Sequence, residues 1–189
     1  MGNNTEQNFT ELVDQILHKS TGYGKFKVFD YEASSGKTYN YAKAVVDYYH
    51  MIVDFGIDLE TETCDKSLIV IKTIKEGNEV AKIINKNSQK YQTNIENTAK
   101  FALAINSDYK QSNPTIRNMG KDEYVDFLHK FPVLIITQKE YLNICVDWER
   151  GKKYYGNRNL LLVDEEIDVV YNSFSVLMLN DITLIEDKL

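Results

Sequence analysis

At 189 residues the chain is long enough for one well-cored domain or two small ones. Hydrophobic content of 43% with 26% charged residues, and only 2 Pro and 9 Gly beside 13 Tyr and 8 Phe, argue against a disordered or low-complexity chain. The formal net charge of −6 leaves no overall basic footprint for nucleic acid, and 2 cysteines are too few for a disulfide framework or a cysteine metal site.

The N-terminus lacks the basic and apolar regions of a signal peptide, and no apolar run approaches a membrane span. Gly2 with Gln7 in place of Ser or Thr is a poor myristoylation match. With reduced Cys64 and Cys145, the chain reads as cytoplasmic. His18, His50 and His129 have no metal-ligand or catalytic spacing partner and read as surface or packed histidines. Phe9 to Leu17 carries apolar residues at helical spacing with Thr10 as N-cap. Residues 1–24 therefore read as a helix and linker ahead of a domain over 25–189.

The apolar, β-prone Phe26-Lys27-Val28-Phe29 leads into Tyr31-Glu32-Ala33-Ser34-Ser35-Gly36-Lys37-Thr38. A helix follows from Tyr39 to about Asp54, with Ala44, Val45, Tyr48, Met51 and Ile52 on the face packed against a sheet. Strand, tight loop ending Gly-Lys-Thr, then helix is the context of a phosphate-binding loop. Unsatisfied N–H groups at a helix start and the helix dipole favour an anion there. Gly36 lets the backbone approach a phosphate, Lys37 reaches the β- and γ-phosphates, and the Thr38 hydroxyl can ligate Mg²⁺. The candidate phosphate contacts are Ala33, Ser34, Ser35, Gly36, Lys37, Thr38 and Tyr39. Tyr31 and Ser34 stand where variants of the pattern carry Gly, and Gly-Lys-Thr by itself also suits an ordinary turn.

Ser67-Leu68-Ile69-Val70-Ile71 predicts a strand buried on both faces. Lys72 to Glu79 follows its carboxyl end, then a helix carrying Val80, Ile83 and Ile84, then a polar helix end and loop from Asn85 to Glu96. Phe101 to Ile105 is a third strand, Asn106 to Lys121 a long loop, and Asp122 to Lys130 a short helix with Tyr124, Phe127 and Leu128 inward. Pro132 to Thr137 is a fourth strand with Gln138 at its end, Tyr141 to Val146 is helical, and the basic Trp148 to Arg158, with Gly151 and Gly156, reads as a surface loop. Strands alternating with helices imply an α/β domain with a mostly parallel sheet. Charge is segregated: Lys66 to Lys100 holds seven lysines against three glutamates, and Asn159 to Leu189 seven acids against Lys188.

Leu160-Leu161-Leu162-Val163-Asp164-Glu165-Glu166 reads as a buried strand ending in carboxylates. Asp164 can share with Thr38 the Mg²⁺ of a bound nucleotide, and Glu165 can orient the water that attacks the γ-phosphate. In open α/β sheets ligands gather at the carboxyl ends of the strands, where both motifs fall.

With these motifs in order, the chain from Phe26 to Asp168 resembles the first RecA-like domain of superfamily 2 helicases, the DEAD/DEAH-box group. Tyr31 to Thr38 resembles motif I and Asp164-Glu165-Glu166-Ile167 resembles motif II. Lys72-Thr73-Ile74 looks like motif Ia, and Thr137-Gln138 sits where the family often has a Thr near bound nucleic acid. The resemblance implies a three-layer P-loop NTPase fold, ATP with Mg²⁺, and Lys72, Thr73, Thr137 and Gln138 at a nucleic-acid surface. The chain departs from the pattern in having no Q-motif and no Ser-Ala-Thr stretch after Glu166. The family's second RecA-like domain supplies arginines to phosphoryl transfer, and here Arg117, Arg150 and Arg158 lack a motif context. Phe174 to Leu189 reads as interrupted, so a fragment or one half of a split system is expected, not competent to unwind alone. A P-loop kinase, or a non-catalytic binding protein on the same fold, is the alternative.

Overall fold

The fold is described from a computed structural model for Asp14 and residues 36–56, 66–88, 101–106, 113–156 and 158–165. Apart from Asp14, the expected helix at 9–17, the strand at 26–29, loop positions 31–35 with Ala33, Ser34 and Ser35, and everything after Glu165 lie outside the described residues. The elements are α1 (Lys37–Asp54), β1 (Lys66–Ile71), α2 (Ile74–Ser88), β2 (Ala102–Ala104), α3 (Pro114–Arg117), α4 (Lys121–His129), β3 (Val133–Thr137), α5 (Gln138–Val146), α6 (Trp148–Tyr155) and β4 (Arg158–Val163). No helix among them is long and apolar enough to cross a membrane.

The four strands form one sheet in the order β2-β3-β1-β4, with every pairing parallel. Parallel neighbours need long crossovers, and here helices make them. β1 is buried at every residue, which its unbroken apolar run requires of a strand covered on both faces. Alternate side chains leave the sheet on opposite sides. Ile69, Ile71, Ala104 and Ile135 meet α1 through Val45, Tyr48 and Tyr49 and α2 through Val80 and Ile84. Leu68, Val70, Leu103, Leu134 and Ile136 meet Leu128 of α4, Ile144 of α5 and Tyr154 of α6. The result is the expected α/β architecture: helices, parallel sheet, helices. Ala44, Val45, Tyr48 and Ile52 are buried as the periodicity of α1 predicts, with Met51 packed at the edge of that cluster.

Several boundaries differ from expectation. The stretch Trp148 to Arg158 is not a surface loop but α6 followed by the start of β4. The Asp147 carboxylate caps α6 by accepting from the Arg150 N–H at 3.0 Å, and Lys152 and Lys153 complement its C-terminal end. Gly151 does not break the helix. A Cβ there would lie 2.7 Å from the Tyr155 ring and 3.1 Å from the Ile144 carbonyl oxygen, so it is glycine because the α5–α6 corner packs closely there. Within the expected loop before α4, Pro114–Arg117 forms one helical turn capped by Asn113. α2 starts at Ile74, directly after Thr73, and runs through Asn85 to Ser88. β4, expected to be buried, is only partly covered and on one side: Leu160 and Leu162 pack at the edge of the cluster that contains α1, while Leu161 and Val163 are exposed.

Asn85 closes the outer edge of β2. Its side-chain oxygen accepts from the N–H groups of Phe101 and Ala102 at 2.8 Å each, and its amide donates to the Ala102 carbonyl at 2.9 Å. At the amino end of the sheet, Arg158 spends all five of its N–H groups on backbone carbonyls: Tyr154, Ser67, Pro132, Leu128 and Phe131, at 2.9 to 3.2 Å. Burial pushes its pKa down to about 10. Beside it Lys66, itself buried, donates to the His129 carbonyl, and the Tyr49 hydroxyl bonds Ser67 Oγ at 2.7 Å and the Pro132 carbonyl at 3.2 Å.

Candidate functional site

α1 begins where the sequence places the end of the loop. Gly36 is its N-cap with φ 79° and ψ 19°, a left-handed conformation that glycine adopts without penalty. Gly36 offers no side-chain cap and the first turn holds no acid, so the N–H groups and the positive end of the helix are not answered from within the helix. Lys37 and Thr38 are partly buried, and Tyr39 is exposed.

Asp164 arrives from the far end of the chain. Its N–H donates to the Val70 carbonyl at 2.9 Å, which extends the β1–β4 ladder one residue and fixes Asp164 at the carboxyl end of the sheet. There its Oδ2 accepts from Thr38 Oγ1 at 3.3 Å, a contact spanning 126 positions of sequence. The same oxygen accepts from the Tyr41 hydroxyl at 2.9 Å. Burial above all, then the neighbouring Asp164 charge, pushes the Tyr41 phenol far above its ordinary pKa and keeps it a proton donor.

Glu165 follows with φ 81°, the one non-glycine residue with positive φ among the described residues. A side chain held there costs of order 1–3 kcal/mol and is maintained by its surroundings. Beside it, Lys72 Nζ lies 3.8 Å from Glu165 Oε2, both side chains half exposed. The Lys72 of the motif Ia-like segment thus stands against the Glu165 of the motif II-like segment.

The remaining candidates are near one another but busy. The Thr73 N–H and hydroxyl donate to the Glu76 carboxylate at 3.0 and 2.8 Å, and the Glu76 N–H returns a bond to Thr73 Oγ1, a capping box that starts α2. Thr137 Oγ1 accepts from the Glu140 N–H at 3.3 Å and caps α5. Thr73 and Thr137 line a common crevice of about 10 Å³ at the carboxyl ends of β1 and β3, while Gln138 is buried. A cleft of about 580 Å³ lies elsewhere, lined among others by Arg117, Lys121, Asp147, Glu149, Arg150 and Lys153, and it shares no residue with this cluster.

The structure therefore brings Thr38, from the end of the loop motif, against Asp164, and sets Lys72 beside Glu165. Gly36, Lys37 and Tyr39 are neighbours of Thr38 along α1. Sequence reasoning missed Tyr41. The signal was its spacing, since a residue three positions after Thr38 lies on the same helix face. The chain has no match among protein-family models, among curated proteins or among solved structures.

Proposed function

We propose that the chain is the nucleotide-binding domain of a helicase-like, nucleic-acid-dependent ATPase, acting on ATP with Mg²⁺ at the carboxyl end of its sheet. The observation that carries this reading is the 3.3 Å contact from the Thr38 hydroxyl to the Asp164 carboxylate. Two motifs 126 positions apart meet with the two oxygen types that a hard divalent cation takes, at the start of a helix whose cap is a left-handed glycine. An ordinary strand–turn–helix has no need of that partner.

The residues fit the cation in a particular way. Among the described residues no three His, Cys, Asp or Glu side chains form a cage. Thr38 and Asp164 would therefore hold Mg²⁺ together with nucleotide phosphates and water, the usual manner for this ion. Bound there, Mg²⁺ would neutralise charge on the phosphates. The backbone around Gly36 would cradle phosphate oxygens, and Lys37 would meet the β- and γ-phosphates. Glu165 would orient the water and receive its proton as the water oxygen bonds to the γ-phosphorus and the β–γ bridging oxygen leaves with ADP. Lys72, with Thr73 and Thr137 behind it, would meet a nucleic-acid backbone. Arg158 is committed to carbonyls, Arg150 to Glu140, and Arg117 lines the separate cleft. An arginine for the transition state would come from a second, separate domain.

Calorimetry with Mg²⁺–ATP and Mg²⁺–GTP, wild type beside Lys37→Ala, tests the site. Binding by the wild type and a loss of at least about tenfold in the variant is expected, equivalent to about 1.4 kcal/mol. A wild type that binds neither nucleotide, or a variant that binds as well as the wild type, sinks the reading. Stimulation of turnover by single-stranded nucleic acid then separates a helicase-like ATPase from a small-molecule kinase.

A further inference from the structure

We infer that Tyr41 is a positioning residue for the metal: it holds the Asp164 carboxylate in place whether or not Thr38 is engaged. The inference rests on the nucleotide reading above and adds a residue to it that neither motif contains.

Tyr41 comes one helical turn after Thr38, so both side chains rise from one face of α1 toward the end of β4. The residue is 7% exposed and packed in the cluster between α1 and the sheet. A buried hydroxyl is costly without a partner, and among the described residues the partner of this one is a carboxylate. An O–H donor on an ionised acceptor is among the stronger hydrogen bonds a protein makes, and at 2.9 Å this one is shorter than the 3.3 Å bond from Thr38.

The two donors differ in what else they must do. The Thr38 hydroxyl turns freely about one bond, and in the proposed site it would direct a lone pair at the cation while its proton points to Asp164. Tyr41 has no such second task. Its ring is fixed by the core, and its hydroxyl donates to Oδ2 while the Thr38 side chain also hydrogen-bonds the phenol. A carboxylate has about four lone-pair positions, so Oδ2 can take both hydroxyls and leave Oδ1 uncommitted. Groups that orient a metal's ligands in this way commonly contribute 10–100-fold to metal affinity or activity.

The test is the MgCl₂ dependence of ATP binding, followed by calorimetry at fixed ATP for wild type, Tyr41→Phe, Asp164→Asn and the double variant, with circular dichroism melts of each. Tyr41→Phe keeps the ring in the core. It is expected to raise the MgCl₂ concentration for half-maximal binding roughly 10–100-fold. ATP binding in EDTA should stay as in the wild type, and the Phe substitution should add nothing once Asp164 is Asn. Without any variant, the Tyr41 hydroxyl proton is expected as a downfield, slowly exchanging NMR resonance that moves when MgCl₂ and ATP are added. An unchanged MgCl₂ dependence in a folded Tyr41→Phe, or no such resonance, overturns the assignment while leaving the nucleotide site standing. A wild type that binds no nucleotide overturns both.

Discussion

The two ends of the sheet use polar side chains in opposite ways. At the amino end cations are spent on the chain's own backbone: Arg158 reaches five carbonyls and Lys66 reaches the carbonyl of His129. At the carboxyl end hydroxyls are spent on a carboxylate, with Gly36 and Glu165 held at positive φ on either side. The amino end is closed, since the Arg158 guanidinium has no donor left for another molecule. The carboxyl end keeps acceptor capacity: a carboxylate with further lone pairs, beside a helix start whose N-cap, Gly36, offers no side chain. Polar density alone does not mark a functional site. What marks it is polar capacity that the fold leaves unspent.

If that contrast is right, stability and function should separate between the ends. The largest effect is expected from Arg158→Met, which withdraws five hydrogen bonds from carbonyls of α4, α6, β1 and the turn before β3. Relief of the buried charge offsets part of the loss, leaving about 2–4 kcal/mol of destabilisation in a denaturant melt. Asp164→Asn should cost less than about 1 kcal/mol while weakening Mg²⁺-dependent nucleotide binding. Equal stability losses at both ends would erase the distinction.

An intermediate effect belongs to pH. Burial first, then the charges of Arg158 and Lys66, lower the His129 pKa, against a smaller opposing pull from Asp126 and a backbone bond at Lys153. The unfolded chain then binds the proton more readily than the folded one. Stability is full above the ordinary histidine value of about 6.5 and falls as pH drops below it toward the folded pKa. His50, lowered chiefly by burial, acts with the same sign. His129→Gln should therefore reduce the slope of thermal midpoint against pH below about 6.5 without abolishing it. A slope indifferent to the substitution would show that the amino end does not register the proton.

The smallest effect is expected at Lys72. Its pairing with Glu165 at 3.8 Å is half exposed on both sides, so Lys72→Ala should leave stability within about 0.5 kcal/mol. The same change should weaken single-strand binding and lower its salt slope by about one phosphate contact. An unaltered slope would confine Lys72 to its role beside Glu165.

Much of this architecture was legible beforehand because it depends on local pattern. Runs such as Leu68 to Ile71 and Leu134 to Ile136, short and rich in β-branched residues, read as strands inside a covered sheet, and Gly36-Lys37-Thr38 before an apolar periodicity marks a helix start. α6 was not legible, because a glycine and three basic residues look like a loop until Ile144 and Tyr155 are known to close around Gly151. The exposed side of β4 was not legible either, since four apolar residues look the same whether one face or two are covered. Arg158 was hidden because four of its five acceptors come from distant segments, and a long-range hydrogen bond has no spacing to read. Tyr41 had a spacing signal in its place one turn after Thr38, but its acceptor lies 123 positions away.

Asn85 has a consequence for how the molecule behaves in company. β2 is the last strand on its side of the described sheet, and the outward N–H and C=O of an edge strand offer a template to any extended chain. By bonding both groups of Ala102, the Asn85 amide occupies the place a fifth strand would take. Replacing it with leucine would preserve bulk and raise helix propensity yet reopen that edge. The cost would appear as concentration-dependent self-association in sedimentation or light scattering, a solubility phenotype arising from one side chain that touches no substrate.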